Sequence, residues 1–404
     1  MVNHFHSLLA SKTKPSLLSN LNLTKNEEDV LVLAAKDIRK AIISGFKDIR
    51  EKFKREKIEI EVPRPKFAIQ GSFAYGTLND PANPPEQQVD IDLGMYLPFS
   101  ALGNGQEPKT ATTFYFNSVT SILNAFIQSN NNGWQILSGE KEKDTCVRVI
   151  VNNKSHIDIP LFAVPESEFN NVIEDRQLTE AKLEVALLTI DEELDMESYQ
   201  VKAVDPNVIH MAHRKDGWLP SDALVVSRWI THQFNLKGPM IRPVNRFLKA
   251  WRDIEWPDGD GPSSIFLLLH SIKSYPDNSN GMNHCQVFKE VVDRLPQVFD
   301  SPLLIPCPTS SDKNNKNDLR TSISDENKHI YKQKFESFTR QYNLAKNTNP
   351  PEANNILIDL FGERFPRDPS RIVVNDEPDN KVREITGTEP EIHPLRTTER
   401  STSG

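Results

Sequence analysis

The segment Val89-Asp90-Ile91-Asp92-Leu93 sets two carboxylates one residue apart among apolar side chains. Side chains alternate along a strand, so Asp90 and Asp92 share one face while Val89, Ile91 and Leu93 turn toward a core. Neighbouring carboxylates repel, which raises at least one pKa unless a cation fills the gap. Hard Mg2+ prefers such oxygens, with substrate phosphates completing its shell. His156-Ile157-Asp158-Ile159 repeats the alternation, so Asp158 reaches the same face if the two strands are neighbours. Three carboxylates suit two ions, Mg2+ with Mn2+ as a substitute. One ion lowers the pKa of an attacking hydroxyl, and the other stabilises a triphosphate and its pyrophosphate leaving group. Asp90, Asp92 and Asp158 are therefore the candidate catalytic and metal-binding residues, with Asp158 also a base or orienting group.

A second set of residues could hold phosphate. Gly71-Ser72 closes the run Phe67-Ala68-Ile69-Gln70. A glycine there lets backbone amides approach a phosphate and a serine adds a donor. Taken singly, Gly-Ser is also an ordinary turn and Asp-x-Asp an ordinary solvated strand edge. Arg246, Lys249 and Arg252 are spaced by three on a predicted helix, which serves equally a phosphate-facing stripe or a solvated basic face. Ser263 is a natural N-cap, and Ser264 puts a hydroxyl at a helix start, where anions are favoured and plain capping is the alternative. Tyr75 is either a base-stacking ring or a buried aromatic.

The elements that must position these residues follow from periodicity. A helix is predicted over 24–53, opened by a Thr24/Glu27 capping box and continued by Leu31, Ala35, Ile38, Ile42, Phe46, Ile49 and Phe53. Strands are predicted over 67–70, 89–97, 146–151 and 156–162, with a helix over 113–129 crossing the sheet. After residue 166 the pattern is helical, over 178–188, 220–234, 242–252, 263–274 and 287–295. The polar stretches 312–328 and 346–355 read as exposed loops. Residues 367–404 hold no aromatic residue and include Pro369, Pro378, Pro390 and Pro394, so burial cannot repay their ordering. The organisation expected is α+β: a core of small mixed sheet with helices over 1–165, a mostly helical lobe over 166–366 that completes a cleft, and a flexible tail over 367–404. The first long helix is expected to brace both lobes.

Bulk properties narrow the function classes. The chain has 404 residues, 37% hydrophobic content and a net charge of −8. An acidic balance argues against a large nonspecific nucleic-acid surface, while small nucleotides bound with metal stay compatible. Neither a signal peptide nor a membrane-length apolar run is present, so a cytoplasmic protein without a membrane role is expected. Cys146, Cys285 and Cys307 are odd in number and far apart, which fits reduced, buried thiols better than disulfides or a zinc set.

In combination the motifs are specific. A strand, Gly-Ser, a loop, a strand with Asp-x-Asp between apolar residues and a third strand aspartate resemble the polymerase-β-like nucleotidyltransferases. Gln70-Gly71-Ser72-Phe73-x-Tyr75-x-Thr77-Leu78-Asn79, Asp90-Ile91-Asp92, Thr145-Cys146-x-Arg148, His156-Ile157-Asp158-Ile159-Pro160 and Lys249-Ala250-Trp251-Arg252-Asp253 narrow this further. With Gly261-Pro262-Ser263-Ser264 and Phe361-Gly362-x-Arg364 they resemble the bacterial cGAS/DncV-like nucleotidyltransferases, especially the cholera-type cyclic GMP-AMP synthases, over roughly residues 25–366. The resemblance implies a cytosolic synthase that makes cyclic di- or oligonucleotides from ATP, GTP or other triphosphates as signals in antiphage defence (CBASS). It also implies that Gly71 and Ser72 hold the donor triphosphate, that Lys249 and Ser264 grip its terminal phosphates, and that Gln70 and Ser263 belong to the same nucleotide-binding set. Tyr75 would stack on a base, and Arg148 and the pair Ser221-Asp222 would contact bases; Ser221-Asp222 also reads as a helix start after Pro220. Rival readings are a terminal RNA nucleotidyltransferase, which should carry a basic groove, an aminoglycoside-modifying transferase, and a nucleotide-binding pseudoenzyme, which should have lost an aspartate.

Two departures bear on specificity: Leu93 after Asp92 and Gly76 after Tyr75 stand where the cholera-type relatives carry acidic residues. Without a basic cluster or zinc motif, no duplex DNA activator is expected. The chain ends in Ser401-Thr402-Ser403-Gly404. In some operons of the family it resembles, a ubiquitin-transfer-like partner activates the synthase's C-terminus, so Gly404 is a candidate conjugation site.

Overall fold

The computed structural model describes residues 2–59, 62–99, 108–165, 169, 209–220, 223–305 and 318–375. An N-terminal strand β1 (Val2–His4) and two short helices, α1 (His6–Leu9) and α2 (Leu17–Asn20), precede the long helix α3 (Lys25–Glu56). The Thr24 capping box opens α3, and Lys57 in the left-handed region ends it. Strand β2 (Lys66–Gln70), helix α4 (Gly71–Tyr75), strand β3 (Val89–Pro98) and helix α5 (Pro108–Asn130) follow. Strands β4 (Gln135–Ile136), β5 (Cys146–Asn152), β6 (Ser155–Val164), β7 (His210–His213) and β8 (Gly217–Pro220) complete the sheet.

The sheet runs β2-β3-β6-β5-β4, with β7 and β8 continuing from the far end of β6. β3 and β6 are parallel, and the other pairings are antiparallel. One face of it carries Val89, Ile91, Leu93, Val147, Val149, Ile157 and Ile159 into a core roofed by Leu31, Ile38, Ile42 and Phe46 of α3 and Tyr115, Val119 and Leu123 of α5. Leu31, Ala34, Ala35, Ile38, Ile42 and Phe46 of α3 lie in that core, so the helix braces the sheet.

The second lobe is built from α6 (Ala223–Lys237), α7 (Ile241–Glu255), α8 (Ser264–Ser274), α9 (His284–Asp293), α10 (Asp325–Asn347) and α11 (Pro350–Phe361), followed by strand β9 (Val373–Asn375). Its core packs Phe247, Trp251, Phe266, Phe288, Phe335, Phe338, Tyr342 and Phe361, with Trp251 stacked on Phe338 at 4.3 Å between ring centroids.

Several sequence expectations are corrected here. Of the loop expected over 312–328, residues 312–317 lie outside the described residues and 318–328 are largely helical, as are residues 346–355. Ser324 caps α10, and Asn349 caps α11 with proline at its start, where a proline's missing N–H costs nothing. The helix expected over 220–234 begins at Ala223, because residues up to Pro220 form the β7–β8 hairpin added to the sheet. Residues 367–375 are structured, not tail: β9 pairs antiparallel with β1 and Ile372 is buried. The first residues belong to the helical lobe, where Phe5, Leu8, Leu9, Leu17 and Leu21 are fully buried. The helix expected over 178–188, Ser221-Asp222, Cys307 and the chain end at Gly404 lie outside the described residues; Cys146 and Cys285 are buried free thiols.

Candidate active site

Strand register builds the site. Gln70 on β2 pairs with Asp92 on β3, Asp92 with Asp158 on β6, and Asp158 with Arg148 on β5. These four side chains form one row across the sheet, on the face away from the α3–α5 core. The next row holds Asp90 opposite His156. The alternation that buries Ile91 and Ile157 completely therefore sends the three aspartates to one surface.

That surface is electrostatically strained. Asp92 is pushed up to about 7, by burial first and then by the neighbouring Asp90 and Asp158 charges. Asp158 is buried and meets Arg148 through a two-pronged ion pair. Nε donates to Oδ1 at 2.7 Å and a terminal guanidinium nitrogen donates to Oδ2 at 2.6 Å, the strong fork geometry of arginine and carboxylate. His156 lies beside them, with Nδ1 2.9 Å from Gln88 Oε1 and Nε2 3.9 Å from Asp158 Oδ2. Burial and the Arg148 charge lower its pKa. Among the described residues, no group of three or more His, Cys, Asp or Glu is closed around a cation-sized space; Asp158 directs both oxygens at Arg148.

Gly71 explains how the β2–β3 corner fits. Its φ is +69°, and a Cβ built there would overlap Asp92 Oδ2, so only glycine serves both the backbone and the carboxylate. Ser72 follows Gly71 in the short helix α4, and its Oγ lies 3.4 Å from Asp90 Oδ1. Gln70 is buried, with its amide donating to the Tyr96 hydroxyl. Tyr75 is half-buried against the helical-lobe core, and its carbonyl accepts from Arg242 at 3.0 Å.

Helix α7 faces this corner with the cationic stripe, and the stripe is not solvated. Lys249 is buried and donates to the Thr77 carbonyl at 2.8 Å. Its pKa is lowered to about 8 by burial first, then by Arg252, with the Asp253 and Asp90 charges opposing. Arg246 donates to Asn79 Oδ1 at 2.9 Å and is lowered to about 10 by burial. Arg252 pairs with Asp253 at 2.7 Å and donates to Ser264 Oγ at 3.0 Å. Ser263 caps α8 by accepting from the Phe266 amide at 3.3 Å.

Sequence reasoning missed what joins the lobes. Loop residues 77–88 are stitched to α7: Asn79 donates to the Arg246 carbonyl, Asn83 to that of Asp253, and Gln87 to those of Asp253 and Trp256. Arg364, after α11, donates to the carbonyls of Asp80 and Ala250. The available signal was a run of side-chain amides in a proline-rich loop, the residue type that satisfies a helix's last carbonyls.

With this geometry in hand, comparison with known proteins identifies the family. Residues 65–162 match the family described as "Cyclic GMP-AMP synthase DncV-like, nucleotidyltransferase domain" and residues 238–374 match "Cyclic GMP-AMP synthase, C-terminal domain". The chain belongs to this DncV-like nucleotidyltransferase family. It is 31% identical over 258 residues to a cyclic GMP-AMP synthase of Escherichia coli strain TW11681, covering 61% of this chain and 56% of the relative. To that of Vibrio cholerae serotype O1 it is 31% identical over 242 residues, 58% of this chain and 53% of the relative. The matches thus span little more than half the length of those relatives. Solved structures of Vibrio cholerae DncV share the fold. The complex with the linear intermediate 5′ pppA(3′,5′)pG and the complex with GTP and 5MTHFGLU2 both superpose with a TM-score of 0.71 at 24% identity, covering 93% of this chain and all of theirs. No helix among the described residues is long and apolar enough to cross a membrane.

Proposed function

We propose that the protein is a metal-dependent nucleotidyltransferase that joins ribonucleoside triphosphates, ATP and GTP foremost, into a cyclic di- or oligonucleotide with release of pyrophosphate. The observation that carries this reading is the row of Asp92 against Asp158 beside Asp90, with the Asp92 carboxyl pushed up to about 7 by burial and then by the charges of Asp90 and Asp158. A divalent cation relieves a buried carboxyl crowded by like charges, and carboxylate oxygens with substrate phosphate are the donor set that Mg2+ takes. Asp90 and Asp92, joined by Asp158, would hold two Mg2+ ions, which Mn2+ can replace; when bound they supply charge neutralisation at the triphosphate and acidify the attacking hydroxyl.

The chain's own residues account for the rest. Gly71 and Ser72 bring backbone and hydroxyl to the donor triphosphate beside Asp90. Lys249 and Ser264 meet its terminal phosphates from the helical lobe, Lys249 regaining its full charge against an anion. Tyr75 offers its ring to a base, and Arg148 and Ser221-Asp222 address bases. A hydroxyl of one nucleotide attacks the α-phosphate of the next; pyrophosphate leaves, the linear intermediate turns over, and a second attack closes the ring. The cyclic GMP-AMP synthase relatives and the complex of Vibrio cholerae DncV with ATP and GTP support these substrates. A role in antiphage signalling in the cytosol, with Gly404 joined to a target by a ubiquitin-transfer-like partner, extends the reading. Adducts that persist after Gly404→Glu substitution, in cells carrying the neighbouring genes, would remove that extension.

The test is incubation with all four ribonucleoside triphosphates and Mg2+ or Mn2+, followed by mass spectrometry of phosphatase-resistant products. A cyclic product containing a purine is expected; products that only lengthen an added RNA would replace the reading by terminal transfer.

A further inference from the structure

Resting on that reading, we infer that Arg148 is a latch on Asp158: its guanidinium occupies the carboxylate that a second divalent cation would need, and an incoming nucleotide must draw it away. Asp158 sits directly opposite Asp92 and is the carboxylate that would complete the set with Asp90. Yet both its oxygens accept from Arg148, at 2.7 and 2.6 Å, and the two residues are register partners on adjacent strands. The pair is shielded, with side-chain exposures of 21% for Arg148 and 11% for Asp158. Neither water nor salt therefore weakens it much, and a dication approaching Asp158 meets a fixed positive charge. Among the described residues, Asp90 and Asp92 carry no comparable fork; Asp90 meets the Ser72 hydroxyl at 3.4 Å.

The latch separates two states. In the first, Asp90 and Asp92 alone offer oxygens and metal binding is weak. In the second, a nucleotide supplies phosphate oxygens and a new acceptor for Arg148, which turns away and frees Asp158. Metal and nucleotide then strengthen each other's binding by the same factor, and the protein does not hold a complete metal set while idle.

The experiment is Mn2+ titration calorimetry on the nucleotide-free full chain, with circular dichroism to verify folding. Arg148→Gln is expected to tighten Mn2+ binding about tenfold or more, the scale of a charge-assisted hydrogen-bonded competitor removed. Arg148→Lys keeps the charge but loses the fork, and should fall between wild type and Arg148→Gln; it also serves if the glutamine variant fails to fold. In an Asp158→Asn background Arg148→Gln should change nothing, because no carboxylate remains to be released. Equal affinities for wild type and Arg148→Gln overturn the latch. So does the same tightening in the Asp158→Asn background, which is the mark of a long-range charge effect. A parallel titration with a non-hydrolysable triphosphate separates the two ideas. Mn2+ binding that appears there and disappears in Asp90→Asn/Asp92→Asn keeps the metal site whatever Arg148 does. If wild type binds no Mn2+ in that titration, the metal reading and the latch fall together.

Discussion

At the scale of single residues the site depends on close approaches that permit no substitute. Gly71→Ala adds a methyl where Asp92 Oδ2 already lies and imposes a side chain on φ +69°. Both effects act at the carboxylate, so the variant should fold with a loss of about 1–2 kcal/mol and lose product formation by at least about a hundredfold; a variant with normal turnover would mean that the corner is not at the reacting atoms. Lys249 gives a pH signature. Its folded pKa, about 8, lies below the usual lysine value of 10.5, so the folded chain holds fewer protons between those values. Stability should therefore rise with pH across that window while phosphate attraction falls. The Michaelis constant for triphosphate should climb severalfold as pH passes through about 8, and a Lys249→Met variant should show a flat, high value throughout. A Michaelis constant equally low in wild type and variant at pH 7 would free Lys249 of that role. The aspartates were legible from alternation alone, because a strand's period of two leaves little freedom. The Arg148–Asp158 pair was not, since it depends on which strands are neighbours and in what register.

At the scale of elements, side-chain amides of the 77–88 loop tie the lobes together alongside Arg242, Lys249 and Arg364. Gln87 serves two carbonyls near the end of α7, those of Asp253 and Trp256, at 2.8 and 2.9 Å. Gln87→Ala should cost about 1–2 kcal/mol, the penalty of leaving partly buried acceptors unpaired, read as a lower denaturant midpoint; an unchanged midpoint would show that water replaces the amide. The termini of the helical lobe make a second case. A chain cut after Asn375 should keep the wild-type melting temperature, whereas a cut after Pro366 removes β9, buried Ile372 and the Arg371 contacts to the carbonyls of Pro15 and Ser7. That second cut should lower the melting temperature by several degrees; equal melting for both would return residues 367–375 to the tail. Helices α10 and α11 were hidden for a local reason. Asn349-Pro350-Pro351 looks like a loop, yet a capping asparagine with proline at the first helical position is a start signal. The β1–β9 pairing was hidden for a global one, because its partners lie at opposite ends of the chain.

At the scale of the whole molecule, the sheet supplies the carboxylates and the helical lobe supplies the cations, and the interface between them is where a triphosphate would sit. The division was readable from the switch in periodicity, while the pairing of residues 2–4 with residues 373–375 in one lobe was not, since packing across so long a stretch of chain leaves no local mark. In the metal-free protein the cluster is a liability. The Asp92 pKa is raised from 3.8 to about 7, so the folded state holds the extra proton between those values. Stability should then fall as pH rises through that window. At pH 8 removal of the acidic pair should raise stability by about 1–3 kcal/mol, as Mg2+ should for the intact chain. The most direct measurement of the central claim is therefore pyrophosphate release from ATP and GTP with Mg2+, compared between wild type and Asp90→Ala/Asp92→Ala, with melting curves on the same samples. The account predicts that the double variant melts at or above wild type and releases no pyrophosphate; a folded double variant that still releases pyrophosphate and builds product would contradict it.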